Sequence, residues 1–126
     1  MANHMKTSLV NDALTMALFQ RKPVKGLLYH TDRGSQYASK SHRVILKDHG
    51  IIQSMSRKGN CWDNAVVESF FHTLKVELIH SNRFNNQLEA KQHIFEYIEV
   101  FYNRQRLHSA YDYLSPCDFE ILQQSV

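Results

Sequence analysis

Apolar and polar residues alternate along this chain in a way that marks out helices and two short strands. From Thr7 to Phe19, Leu9/Val10, Ala13/Leu14 and Ala17/Leu18 recur at helical spacing, with Thr7 or Ser8 placed to cap. Pro23 ends that helix, and Gly26-Leu27-Leu28-Tyr29 reads as a short buried strand. Ser39 to Asp48 predicts a second helix carrying Val44, Ile45 and Leu46, closed by His49-Gly50. Ile51 to Met55 then reads as a second strand. The polar, basic, glycine-containing run Ser56-Arg57-Lys58-Gly59-Asn60 reads as a mobile loop.

The third helix, roughly Trp62 to His80, carries two distinct stripes. At 100° per residue Val67, Phe71, Leu74 and Leu78 form an apolar stripe expected to face the core. Asn64, Glu68, His72 and Lys75 form a polar stripe, and Asn60 with Asp63 three residues later resembles a variant capping box. Asn86 with Glu89 repeats that signature. It opens a helix from about Gln87 to Tyr102, expected to bury Leu88, Ile94/Phe95, Ile98 and Phe101/Tyr102. A basic tail, Asn103-Arg104-Gln105-Arg106-Leu107-His108, follows, and Ser115-Pro116 precedes a last short turn. The pattern thus predicts an α/β chain of about four helices and two short strands, without repeats.

Composition narrows this only modestly. A chain of 126 residues fits one domain, and 43% apolar residues with six Gly plus Pro indicate a folded protein. A net charge of +3, eight histidines and a pI near 8.9 permit nucleic-acid binding without demanding it. Cys61 and Cys117 lack any CxxC or secretory context, so reduced thiols in a cytoplasmic protein are expected. No apolar run is long enough to cross a membrane, so no membrane partner is expected. Met1-Ala2-Asn3-His4-Met5 reads as an added segment before a second start at Met5, leaving residues 6–126 for the fold.

The chemistry lies in two acids. Asp32 follows the first predicted strand, and Glu68 sits on the polar stripe of the third helix; positions 33 through 67, thirty-five residues, separate them. A carboxylate at a strand's end and another on a helix can converge on one divalent cation, as metal-assisted phosphoryl transfer requires. The alternative is a solvated helix face with a Glu68–Lys75 or Glu68–His72 attraction. Arg104 and Arg106 suit DNA phosphates, or equally the C-terminal dipole of the preceding helix. His30, Asp32, His42 and His49 form a weaker, zinc-like set.

Three ordered blocks carry a family resemblance spanning about Met5 to Glu120. They are His30-Thr31-Asp32-Arg33-Gly34-Ser35-Gln36-Tyr37, the run Ser54 to Glu77 containing Asp63-Asn64-Ala65-Val66-Val67-Glu68, and Tyr102-Asn103-Arg104-Gln105-Arg106-Leu107-His108 through Pro116. They resemble bacterial insertion-sequence transposases, more narrowly the insertion sequence 3 family. The catalytic core of that family is similar to that of retroviral integrases and has a ribonuclease H-like fold. The resemblance implies that Asp32 and Glu68 are the second and third acids of a DDE triad that binds Mg²⁺ or Mn²⁺. It implies DNA contacts for Arg57, Lys58, Asn64 and Lys75, with Arg104 and Arg106 along the same track. DNA strand cleavage and strand transfer would share one site, with no covalent enzyme intermediate, acting on transposon ends and target DNA.

The chain departs from that pattern in one respect that matters. The family's first catalytic Asp lies on the first strand of the sheet, and this chain starts in the helix after the first three strands. Asp12 sits mid-helix twenty residues before Asp32, Asp48 ends a surface helix and Asp63 serves a cap, so none replaces it. Thr31 stands where the family usually has Ser, and Tyr111 where Leu is usual. The expectation is a truncated integrase core that binds metal weakly or not at all and is inactive alone. The alternative is a non-catalytic DNA-binding or oligomerising remnant able to inhibit an intact transposase. Open strand edges further predict a homo-oligomer.

Overall fold

The computed structural model describes residues 1–57 and 64–125. It divides into two compact units, Met1–His72 and Thr73–Val126.

The first unit starts with α1 (Thr7–Arg21). Its N-cap is Lys6 without a side-chain cap bond, so Thr7 and Ser8 fall inside the helix and do not cap it. Lys22 turns left-handed (φ 43°) and returns its N–H to the Leu18 carbonyl, because Pro23 has no N–H to continue the ladder. β1 (Leu28–Thr31) follows, then a single turn, α2 (Ser35–Ala38), and α3 (Lys40–Asp48). Ser39 caps α3 by accepting the His42 N–H. Gly50 (φ 68°) reverses the chain, and a Cβ there would meet Lys25 Cγ at 2.8 Å. β2 (Ile52–Met55) returns parallel to β1, pairing Leu28 with Ile52 and Thr31 with Met55.

The core of this unit is small. Leu14 and Leu18 of α1 meet Leu46 of α3 and Ile51, with Tyr29 and Ile45 packed against them. The opposite sheet face is bare: Leu28 and Ile52, partners across the sheet, are 62% and 56% exposed. α4 runs from Ala65 to Leu74, and its predicted start at Trp62 lies outside the described residues. The expectation that its Val67/Phe71 stripe is buried is not met, for both are 50% exposed. A two-stranded sheet offers too little area to cover an apolar stripe, whatever its periodicity. The Asn60/Asp63 capping box, Cys61 and Trp62 lie outside the described residues.

In the second unit a π-turn spans Lys75–Ile79. α5 (Gln87–Glu96) passes into a second π-turn, Tyr97–Tyr102, whose wider bonds include Asn103 N–H to Ile98 C=O. The predicted Asn86 cap is present: its Oδ1 accepts the Glu89 N–H at 2.8 Å, while Glu89 Oε2 reaches back to the Asn85 N–H. The expected burial along this helix is corrected in part. Leu88 and Phe95 are 64% and 62% exposed, and Tyr97 is the buried residue.

Rings build the rest of this unit: Tyr97, Tyr102, His108, Tyr111 and Phe119 touch in succession, ending in a Tyr111–Phe119 stack at 4.5 Å. The last short turn is instead a nine-residue helix, α6 (Pro116–Gln124). Buried Ser115 caps it, and Pro116 sits where a helix tolerates proline. The described residues thus hold six α-helices and two strands, against about four helices predicted from the pattern.

Candidate active site

Asp32 leaves the C-terminal end of β1 exposed to solvent. Its Oδ1 accepts the Gly34 N–H at 2.7 Å, so the carboxylate folds back onto its own turn and is fixed in direction. A Cβ at residue 34 would lie 2.9 Å from that oxygen, so a larger residue there would push the carboxylate aside. The fixed carboxylate still presents lone pairs to a cation.

Glu68 lies exposed in the first turn of α4. Asn64, one helical turn earlier, shares its face. The joint between strand ends and helix is Ser56, buried directly after β2. Its N–H donates to the Thr31 carbonyl at 2.8 Å, and its Oγ lies 3.2 Å from the same oxygen. Asn64 Nδ2 donates to Ser56 Oγ at 3.0 Å, and Arg33 Nε donates to the Ser56 carbonyl at 2.8 Å. Residues flanking Asp32 are thereby tied to the residue one turn before Glu68. Ser56, read from the sequence as the start of a mobile loop, is a fixed joint. The available signal was its place immediately after a strand, where a buried hydroxyl must find partners.

The other candidates separate. Asn64 belongs to the joint. Arg57 is exposed at its edge, and Lys58 lies outside the described residues. Lys75, Arg104 and Arg106 belong to the second unit. Arg104 donates Nε to the Glu99 carbonyl near the end of its helix, as the dipole reading expects. Arg106 grips Glu77 through Nε at 3.1 and 2.9 Å and Nη2 at 2.8 Å, while its guanidinium lies 5.8 Å from the Tyr102 ring. The Arg106 hydrogen bond holds the Glu77 carboxyl below its usual range. Burial, then Glu77, pushes the Tyr97 hydroxyl up to about 12.

Among the described residues no three His, Cys, Asp or Glu side chains are grouped to hold a metal. The zinc-like histidines are engaged separately: His30 with Ser54 Oγ, His42 with Asn11 Oδ1 and His49 with the Ile45 carbonyl. Asp32 and Glu68 remain as a pair of exposed hard-oxygen donors, a set that fits Mg²⁺ or Mn²⁺.

Two family models described as integrase core domain match residues 1–61 and 68–124. The transposase for insertion sequence element IS904 of Lactococcus lactis is 49% identical over 120 residues, covering 95% of this chain and 47% of its own length. An uncharacterized 31 kDa protein of insertion element IS600 from Shigella sonnei is 52% identical over 119 residues, covering 94% and 44%. Transposase InsF for insertion sequence IS3A of Escherichia coli is 49% identical over 120 residues, covering 95% and 42%. The chain therefore spans less than half the length of these relatives. The catalytic core domain of BIV integrase superposes with a TM-score of 0.68 at 18% identity, covering 98% of this chain and 76% of its own. A chain of a simian T-cell lymphotropic virus intasome gives 0.73 at 14%, covering 94% and 41%. At such identities the likeness is one of fold.

Proposed function

Because this chain belongs to the integrase core family of insertion-sequence transposases, we propose that it carries two acids of a DNA strand-transfer site, Asp32 and Glu68. The observation that carries this reading is the joint through Thr31, Ser56 and Asn64, which anchors both acid-bearing elements to one buried hydroxyl. Asp32 and Glu68 would hold the divalent ions. Bound there, such ions supply charge neutralisation at a phosphodiester and a lowered pKa for the attacking hydroxyl. The chain's own part is orientation: Gly34 aims Asp32, and Ser56 with Asn64 steadies the helix bearing Glu68.

DNA backbone contacts are assigned to Arg57, Lys58, Asn64 and Lys75, with Arg104, whose Nε donates to the Glu99 carbonyl. Arg106 is assigned to packing, since Glu77 already occupies its fork.

Two carboxylates are one fewer than the family's triad, so these 126 residues alone are expected to bind end DNA without joining it. A strand-transfer assay with Mn²⁺ on transposon-end DNA decides: product that Glu68→Gln abolishes would overturn the inactivity. DNA affinity should fall steeply with salt, by about one unit of log–log slope per phosphate contact. A salt-independent affinity would defeat the assignment of phosphate contacts.

A further inference from the structure

We propose that Ser56 is the positioning residue that sets where Glu68 stands relative to Asp32. This rests on reading the two acids as a metal-binding pair.

The chain between them is long, and covalent connection alone does not fix two side chains on separate elements. Ser56 does so with every polar group it has. Its N–H continues the parallel ladder one residue past the Thr31–Met55 pair, locking register against the residue before Asp32. Its carbonyl takes the side chain of Arg33, the residue after Asp32. Its hydroxyl has one proton and two neighbours: donating to the Thr31 carbonyl at 3.2 Å leaves a lone pair for Asn64 Nδ2 at 3.0 Å. The partners are residues 31, 33 and 64, each adjacent to one acid in sequence or one helical turn from the other.

At 4% exposure the hydroxyl has little water to replace a lost partner. Ser56→Ala would keep both backbone bonds on the Asp32 side, so that side stays anchored when the hydroxyl's bond to the Thr31 carbonyl goes, while the link to Asn64 is cut altogether. The two halves of the site can therefore be uncoupled by one atom.

Amide exchange and Mn²⁺ titration, both followed by NMR on the whole chain, test this. In Ser56→Ala, amides of Ser69, Phe70 and Phe71 in α4 should exchange about five to ten times faster, matching one lost hydrogen bond. Leu46 in α3 should be unaffected. Asn64→Ala, approaching from the other partner, should do the same, and the double variant should add nothing further. Paramagnetic broadening in the unaltered chain should reach signals near Asp32 and Glu68 together. In Ser56→Ala the Glu68 signals should need about tenfold more Mn²⁺, with those of Arg33 and Gly34 unchanged.

Unchanged α4 exchange in both single variants, or additive effects, would overturn the role of Ser56. Equal weakening at both acids would reduce it to general stability and overturn it likewise. Absence of broadening in the unaltered chain would instead sink the metal-pair reading, while the exchange measurements still decide on Ser56.

Discussion

His42 is fully buried in α3, between the rings of Tyr29 and Tyr37 at 5.7 and 5.6 Å. Its Nδ1 meets Asn11 Oδ1 at 2.9 Å, which makes Nδ1 the protonated nitrogen of a neutral ring; Nε2 has no partner among the described residues. Burial lowers its pKa below 6.5. The folded state therefore refuses a proton that the unfolded chain accepts. Its contribution is complete above about pH 6.5 and is lost as pH falls below that. The urea midpoint should drop between about pH 7.5 and about pH 5.5, and His42→Phe should flatten that slope while lowering stability at the higher pH. A slope identical in the variant would rule the residue out as its source. In the second unit the Glu77–Arg106 fork predicts that Arg106→Lys costs about 1 kcal/mol, seen as a lower Tm, because an ammonium cannot reproduce the bidentate geometry. DNA affinity should be unchanged, and a large loss there would return Arg106 to the DNA contacts.

Among the elements, caps and breakers were the most legible in the sequence. Pro23, Ser39, Asn86 and Ser115-Pro116 act through local bonds that need no distant partner. The two π-turns were not legible, because nothing at Lys75 or Tyr97 distinguishes an i→i+5 bond from an i→i+4 bond. α6 was underestimated because the serine that starts it gains its force from burial. Ser115 Oγ accepts the Asp118 N–H at 3.2 Å and donates to Asp118 Oδ2 at 2.8 Å at 1% exposure. Ser115→Ala should cost about 1–2 kcal/mol, read as a shifted denaturation midpoint in the second unit. No shift would mean that the Tyr111–Phe119 stack holds α6 without its cap.

For the molecule as a whole, the exposed apolar surface is the main physical problem. Parallel sheets are ordinarily covered on both faces, yet Leu28 and Ile52 face solvent here, and Val67 and Phe71 are half exposed. The two-stranded sheet of the described residues also leaves an open edge on each strand. The chain should self-associate, with light scattering giving about twice its 14.8 kDa across a concentration series. A compact, cooperatively unfolding monomer at low concentration would contradict this. Leu28→Lys should lower the association, since it places a charge on the uncovered face.

The sequence by itself determined the family, the order strand–helix–strand and most helix ends, and singled out Asp32 and Glu68, because these rest on local periodicity, capping and motif spacing. Only the tertiary structure decided which apolar stripes find cover, that Arg106 is held by Glu77, and that Ser56 is a joint and not loose loop. Each of those depends on a partner distant in the chain. The polar contacts of Ser56 link strand and helix across 25 and 8 positions, separations over which no sequence period applies.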